Sequence, residues 1–317
     1  MAEASRQPAV HSIDEFVFSV PNLEVARSFY THFGLDVRDE DGGIALYTHD
    51  HTHRWARVLP GPGSKRLLWI SLGIYAADLP QFVDRIATRG IQRIAQPPLA
   101  TAGGLWLRGP DGLAIELRVA DKVSPSEPAP REFAPLCNNS GRAPGRSKAV
   151  PVSPLYLSHI LLFSADVDAA CRFYEDIFGL RLSDRSGSVI AFLHTPHGSD
   201  HHLLAFAKSN GGGLHHSSWC VPSIDAVGIG MEQMAAAGYG KGWGVGRHIL
   251  GSNYFRYVQD PWGSFAEYSF DIDYVAAGEV WPAADHPGED ALYVWGPAVP
   301  DDFIVNYETT FIQEPKS

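Results

Sequence analysis

The chain repeats itself, and the repeat limits what it can fold into. Phe16 to Tyr30 reads FVFSVPNLEVARSFY and Ile160 to Tyr174 reads ILLFSADVDAACRFY; the two superpose without a gap, and each runs on into Phe-Gly-Leu, at Phe33 to Leu35 and Phe178 to Leu180. Downstream, WISLGIYAADLPQFVDRIATRG (Trp69 to Gly90) matches HSSWCVPSIDAVGIGMEQMAAAG (His216 to Gly238). Each copy closes on a turn and a strand, GPDGLAIELRV from Gly109 and DPWGSFAEYSF from Asp260. A period of about 145 residues is a duplicated domain, not a solenoid.

Within each copy an apolar strand runs into an Asp/Asn-marked turn, then a helix with an apolar face at i, i+3, i+4, then a glycine stop. This strand-helix unit occurs twice per copy, so the order is roughly βαβββ twice. The class is α+β, with paired modules that curl their strands into a cup-shaped, partly open sheet and keep the helices outside. The expected boundaries are 8–120 for the first copy, 121–154 for a linker rich in Pro, Ser and Gly, and 155–274 for the second copy. A tail, 275–317, carries Trp281, Pro282, Trp295, Pro297 and Pro300 and is expected to pack back on the second copy.

At 317 residues with 45% hydrophobic content the chain can bury real cores. A formal net charge of -11 leaves no broad basic surface, which argues against nucleic acid and anionic membrane as partners. Cys137, Cys171 and Cys220 form no CxxC pair and suit a reducing cytoplasm. The start, Met1-Ala2-Glu3, lacks a basic region followed by an apolar stretch, and no run has the length of a membrane span. The expected location is cytoplasmic.

Transferring positions through the repeat isolates the chemistry. His159 falls opposite Glu15, His216 opposite Trp69 to within a residue, and Glu267 opposite Glu116. Two histidines and a carboxylate are the ligand set of a mononuclear iron(II) site with open positions, and only the C-terminal copy has all three. An ionised Glu267 among the apolar neighbours of AEYSF also needs a partner.

These residues, with SDHHLLAF, GLHHSSW, the GRH at Gly246 to His248, Asn253, Tyr257 and DPWGSFAEY, resemble the type I extradiol ring-cleaving dioxygenases of the vicinal oxygen chelate superfamily. The resemblance covers about residues 11 to 274 and lies nearest the catechol and homoprotocatechuate 2,3-dioxygenase branch. It implies iron(II), with manganese(II) also suited, held by His159, His216 and Glu267. Catechol and O2 would meet there and yield a 2-hydroxymuconic semialdehyde, in aromatic compound degradation. His201 matches the family's acid–base histidine, with His202 the less favoured of the pair, and His248, Tyr257 and Asn253 match groups that bind the substrate oxygens. The family also implies a homo-oligomer, most often a tetramer.

Trp243, Phe192, Leu250 and Phe255 are candidate pocket walls. Trp243 stands where the homoprotocatechuate branch has an arginine, and the tail has no Arg and only Lys316, so the expected ring substituent is uncharged. His215 is expected to support the site and not to bind. His49, His51 and His53 are expected to face solvent, and the glycines of Gly238 to Gly246 lack phosphate-binding spacing. Two other readings share the fold. One is a glyoxalase- or epimerase-like metalloenzyme that draws ligands from both copies, through Glu15 and Glu116; the other is a non-enzymatic small-molecule-binding module.

Overall fold

The computed structural model describes residues 7–40, 42–101, 103–132 and 141–310. Cys137, Lys316 and part of the linker lie outside them. The first copy comprises β1 (Ser12–Val20), α1 (Leu23–His32), β2 (Asp36–Glu40), β3 (Gly43–Tyr47), β4 (Ala56–Pro60), β5 (Arg66–Ile74), α2 (Leu79–Thr88), β6 (Leu105–Arg108) and β7 (Ala114–Val119). The second comprises β8 (Tyr156–Ser164), α3 (Val167–Phe178), β9 (Arg181–Ser186), β10 (Ile190–His194), β11 (Ser199–Asp200), β12 (Leu204–Lys208), β13 (Gly213–Cys220), α4 (Ile224–Ala236), β14 (Gly242–His248), β15 (Tyr254–Gln259) and β16 (Phe265–Phe270). The tail adds β17 (Tyr274–Val275), β18 (Ala284–Asp285), β19 (Tyr293–Trp295) and α5 (Tyr307–Thr310).

Turn chemistry sets the helix ends. The Asn22 side chain accepts from the Glu24 and Val25 amides, and Asp166 and Ser223 do the same for Ala169 and Ala226. Gly179 ends α3 at φ 70°, a left-handed conformation that glycine adopts without a Cβ penalty. Inside the first copy the second module is shortened, because a single bridge, Arg93 to Leu107, stands where the second copy has β14.

Strand order is β2-β3-β4-β1-β5-β7-β6 in the first copy's sheet and β18-β9-β10-β12-β8-β13-β16-β15-β14-β19 in the second's, and β11 pairs with β17 in a small separate ribbon. The central strands of the two sheets correspond in register. Glu15 pairs with Ser71 and Ser71 with Glu116, as His159 pairs with Ser218 and Ser218 with Glu267. A continuous apolar core joins the copies, with Phe33 stacked on Tyr268 at 4.0 Å. The tail joins them too: Glu308 accepts from the Leu67 amide of β5 and the Leu214 amide of β13. β18 and β19 extend the second sheet at its two edges.

Candidate active site

Five neighbouring strands, β8, β13, β16, β15 and β14, each carry one residue of the site: His159, His216, Glu267, Tyr257 and His248. His202 enters from the turn before β12, the neighbour of β8 on the other side. The sheet curls so that all six line one cavity of about 300 Å³.

Backbone irregularity aims His159 and His216, the two candidate ligand histidines. β8 and β13 each carry a bulge, and the extra residue is Ser158 in one and His215 in the other, immediately before His159 and His216. A bulge re-aims side chains and leaves its extra residue out of the ladder. Both extra residues then hold the ring that follows them. Ser158 Oγ donates to Asp200 Oδ2 at 2.5 Å and therefore accepts from His159 Nδ1 at 3.2 Å. His215 Nε2 donates to the Phe303 carbonyl at 2.7 Å, which leaves its Nδ1 bare to accept from His216 Nδ1, also at 2.7 Å. A third ring follows suit, for His248 Nδ1 donates to the Leu292 carbonyl at 2.7 Å and its Nε2 accepts the Tyr257 hydroxyl at 2.9 Å.

Each of the His159 and His216 imidazoles thus carries its proton on Nδ1, pointing outward, and turns a bare Nε2 inward. The two Nε2 atoms are 3.3 Å apart, and Glu267 Oε2 lies 3.5 Å from that of His159 and 3.6 Å from that of His216. Metal bonds near 2.1 Å set adjacent ligand atoms about 3.0–3.4 Å apart. Glu267 is fully buried, and its Oε2 has no hydrogen-bond partner. Its other oxygen accepts from Asn253 Nδ2 at 3.2 Å. Burial, reinforced by His215, His159 and His248, drives His216 well below the usual imidazole range, so it is the neutral, ligating form. Three convergent acceptor atoms with no donor among them fit a divalent cation. His159, His216 and Glu267 are the group that would hold it.

The structure corrects three expectations about individual residues. His201 does not face the cavity. Its Nε2 is held by Asp184 Oδ2 at 2.9 Å and its ring lies against Trp281, whereas His202 lines the cavity with its ring 3.9 Å from that of His159. Consecutive side chains on an extended turn point to opposite sides, and the buried Asp184 carboxylate claims the first of the pair. Trp243 and Phe255 are buried behind the wall, not in it: Trp243 stacks on Tyr257 at 5.7 Å and Phe255 on His248 at 4.0 Å. Phe192 and Leu250 do line the cavity, as does Asn253.

The remaining wall comes from the tail, through Ala291, Leu292, Val299, Phe303 and Ile304. Sequence reasoning placed the tail near this copy without seeing that its carbonyls orient two site histidines. Asp184, Ser158 and Asp200 were missed as well; adjacency to His159 and to the His201-His202 pair was the available signal for the last two. His53 departs from a solvent-facing role, since its Nε2 donates to the Asp14 carbonyl at 2.7 Å and its ring meets Trp55.

In the first copy the equivalent place is filled by ion pairs. Arg54 and Arg57 both donate to Glu15, at 2.7 and 2.9 Å, and Arg118 donates to Glu116 at 2.6 Å. Glu15 and Glu116 are thereby ion-paired within the first copy, although Glu116 Oε1 keeps no hydrogen-bond partner.

Comparison with known proteins accords with this geometry. The family model described as Glyoxalase/Bleomycin resistance protein/Dioxygenase superfamily matches residues 12–117 and 156–268. The chain belongs to that superfamily. It is 46% identical over 300 residues to metapyrocatechase 2 of Cupriavidus necator, covering 95% of this chain and 93% of the relative. Among solved structures, an extradiol ring-cleaving dioxygenase from B. fuscum has a TM-score of 0.75 at 18% identity, covering 96% of this chain and 84% of that one. The Mn(II)-bound glyoxalase from Novosphingobium aromaticivorans has the same TM-score at 22% identity, covering 93% and 94%. Superfamily members therefore share the duplicated fold across different chemistries, and the residues of the second copy must separate them. Among the described residues no helix is long and apolar enough to cross a membrane.

Proposed function

We propose that this chain is an extradiol dioxygenase that opens a catechol ring beside its vicinal hydroxyls, using O2 and an iron(II) ion held by His159, His216 and Glu267. The convergence of two bare Nε2 atoms and an unpartnered Glu267 oxygen, in a relative of metapyrocatechase 2, carries the reading. Both oxygen atoms enter the product, a 2-hydroxymuconic semialdehyde or its substituted form.

A metal of this ligand set supplies adjacent open positions for both catechol oxygens and O2, and a route for electrons between them. The chain's own groups do the rest. Tyr257, whose hydroxyl burial and then Glu267 hold well above its ordinary pKa, stays a hydrogen-bond donor, and with His248 it faces the substrate oxygens. His202 is the ring placed to take a proton from the substrate and return it to the opened product. Asn253 fixes the orientation of Glu267.

The wall supports an uncharged ring. Leu161, Ile190, Phe192, Leu250, Ala291 and Phe303 line it, and the one cationic lining residue among the described ones, Lys208, is exposed and donates to the Ala165 carbonyl. A carboxylate substituent would be buried there without a partner. Catechol and alkyl-, halo- or aryl-catechols are the proposed substrates. The ligands suit manganese(II) as well, and metal analysis of the protein as purified separates the two. A homo-oligomer, with a tetramer favoured by the family resemblance, is the proposed assembly, and light scattering reads it.

Aerobic assay of the iron-reconstituted protein with a panel of catechols tests the proposal. Oxygen uptake and a yellow ring-fission product are expected. Failure with every catechol, or turnover of 2-oxoaldehyde conjugates instead, would overturn it. A glyoxalase-like division of ligands between copies has little support here, because Arg54, Arg57 and Arg118 occupy Glu15 and Glu116.

A further inference from the structure

Behind His202 lies a cluster that ring cleavage, as described so far, does not use. Asp184 on β9 is buried and accepts four hydrogen bonds. Two reach Oδ2, from His201 Nε2 at 2.9 Å and Trp281 Nε1 at 3.1 Å, and two reach Oδ1, from the Ala284 amide at 3.0 Å and His286 Nε2 at 2.8 Å. Three of the four donors belong to the tail. Burial opposes ionisation of this carboxyl, but its donors, His201, His286 and Trp281 foremost, outweigh burial and pull it down to about 2. It is a carboxylate at any neutral pH and can only accept.

That fixes protons further along. His201 must carry hydrogen on Nε2, so the neutral ring has a bare Nδ1. This Nδ1 lies 3.1 Å from Nδ1 of His202, which is therefore the donor of that pair. His202 is left with a bare Nε2 on a buried ring that lines the cavity. The arrangement repeats that of His215 and His216, where an outer histidine anchored at Nε2 dictates the tautomer of the inner one.

We propose that Asp184 is a positioning residue: through His201 it holds His202 in the Nδ1–H tautomer and so presents a bare Nε2 to a catechol hydroxyl. The catalytic consequence rests on the ring-cleavage reading; the tautomer does not. In the step it serves, the catechol O–H bond breaks, an Nε2–H bond forms, and the positive charge gained by His202 is balanced by the catecholate. The new charge is stabilised by the His201–Asp184 pair behind it. The same carboxylate accepts from Trp281, Ala284 and His286, so one group both fastens the tail and sets the tautomer of His202.

Asp184→Asn makes the test sharp. The Ala284 amide and the Trp281 indole can only donate, each to a different oxygen, so D184N is made in a Trp281→Phe background; there the retained oxygen stays with Ala284 and the new NH2 faces His201. His201 then accepts at Nε2, moves its proton to Nδ1 and donates to His202, whose own proton must shift to Nε2. Long-range proton–nitrogen NMR of the diamagnetic zinc-loaded protein reads these tautomers, with His202 assigned by difference from His202→Gln. The parent is expected to show His202 protonated at Nδ1 and D184N to show it at Nε2. Turnover of catechol by the iron-loaded D184N should fall about 10²- to 10⁴-fold, as for loss of a general base or its correct tautomer, with metal content unchanged. Trp281→Phe, which removes a donor from the same oxygen but leaves the carboxylate, should keep the parent tautomer.

A parent spectrum with the His202 proton on Nε2 overturns the proposal, and that spectrum decides even if D184N does not fold. An unchanged tautomer in a folded D184N overturns it too. Absence of catechol turnover in a parent with the expected tautomer refutes the ring-cleavage reading alone.

Discussion

Replacing Asp200 by Asn should change how the stability of the metal-free protein depends on pH. Asp200 is completely buried, its close partners are Ser158 Oγ at 2.5 Å and the Tyr156 hydroxyl at 3.4 Å, and among the described residues no cation pairs with it. Burial pushes its carboxyl from 3.8 up to about 7, against the opposing pull of Ser158, Tyr156 and Lys122. In the native state the proton is therefore kept up to about pH 7, while the unfolded chain releases it near 3.8. The unfolded state binds fewer protons across that window, so stability falls as pH rises through it. Below the unfolded value the penalty is absent, and above about pH 7 it is complete. Roughly three pH units at about 1.4 kcal/mol each amount to about 4 kcal/mol.

The amide of Asp200→Asn keeps an oxygen for the Ser158 hydroxyl and carries no charge. Buried His11, His194 and His215, all lowered to about 4 by burial above all, pull the parent curve the other way, but they are common to both proteins and cancel in the difference. The measurement is urea unfolding followed by tryptophan fluorescence at pH 4 to 8. D200N should gain on the parent by about 4 kcal/mol across that range, with the gain spread between pH 4 and 7. Loading a divalent metal should shrink it, since a cation behind His159 favours the carboxylate. A difference that is flat with pH, or that runs the other way, would refute the account of Asp200 as a buried, weakly partnered acid.

Ser158→Ala removes the acceptor of His159 Nδ1, and metal affinity measured by chelator competition should fall about 10- to 100-fold, the usual cost of losing support behind a ligand. Tyr257→Phe takes away the hydroxyl shared with His248; kcat should drop about 10- to 100-fold, in line with the 1.5–3 kcal/mol of a charge-assisted bond, with metal content unchanged by elemental analysis. Arg57→Ala strips one of two close partners from the buried Glu15, Arg54 remaining, and should destabilise the fold by about 1.5–3 kcal/mol in denaturant titration while leaving metal affinity alone. Protocatechuate and homoprotocatechuate should show lower kcat/KM than catechol or methylcatechols, and a reversed order would refute the neutral pocket.

The duplication was legible because strand-turn-helix units repeat their apolar pattern and their caps, and both of those are local. The convergence of His159, His216 and Glu267 was legible for a related reason: comparing copies by strand register locates residues that β-pairing later brings together, as with His159, Ser218 and Glu267. His201 and His202 marked the boundary of that reasoning. Which of two adjacent side chains enters the cavity depends on Asp184, seventeen residues away and on another strand, and on donors from a tail with no periodic pattern. Trp243 and Phe255 failed similarly. Position in sequence put them near Tyr257 and His248, but whether an aromatic lines a cavity or backs it is settled by packing alone.

The two copies answer one physical problem in different ways. Each buries a glutamate at the same point of its closing strand, Glu116 and Glu267, and a buried carboxylate needs compensation. In the first copy Arg54, Arg57 and Arg118 surround Glu15 and Glu116. Carrying register across the repeat, those arginines correspond to His202, Ala205 and Ser269 in the second copy, and Glu15 to His159. Every fixed cation near the carboxylate has therefore been replaced by a neutral group, and Trp69 by a ring with a bare nitrogen. Glu267 keeps hydrogen bonding on one oxygen only, while two imidazoles have their protons tied outward by Ser158 and His215. Among the described residues such a site has room for a positive charge and no side chain to supply it, so the electrostatics that the first copy meets with arginine suit a metal ion in the second.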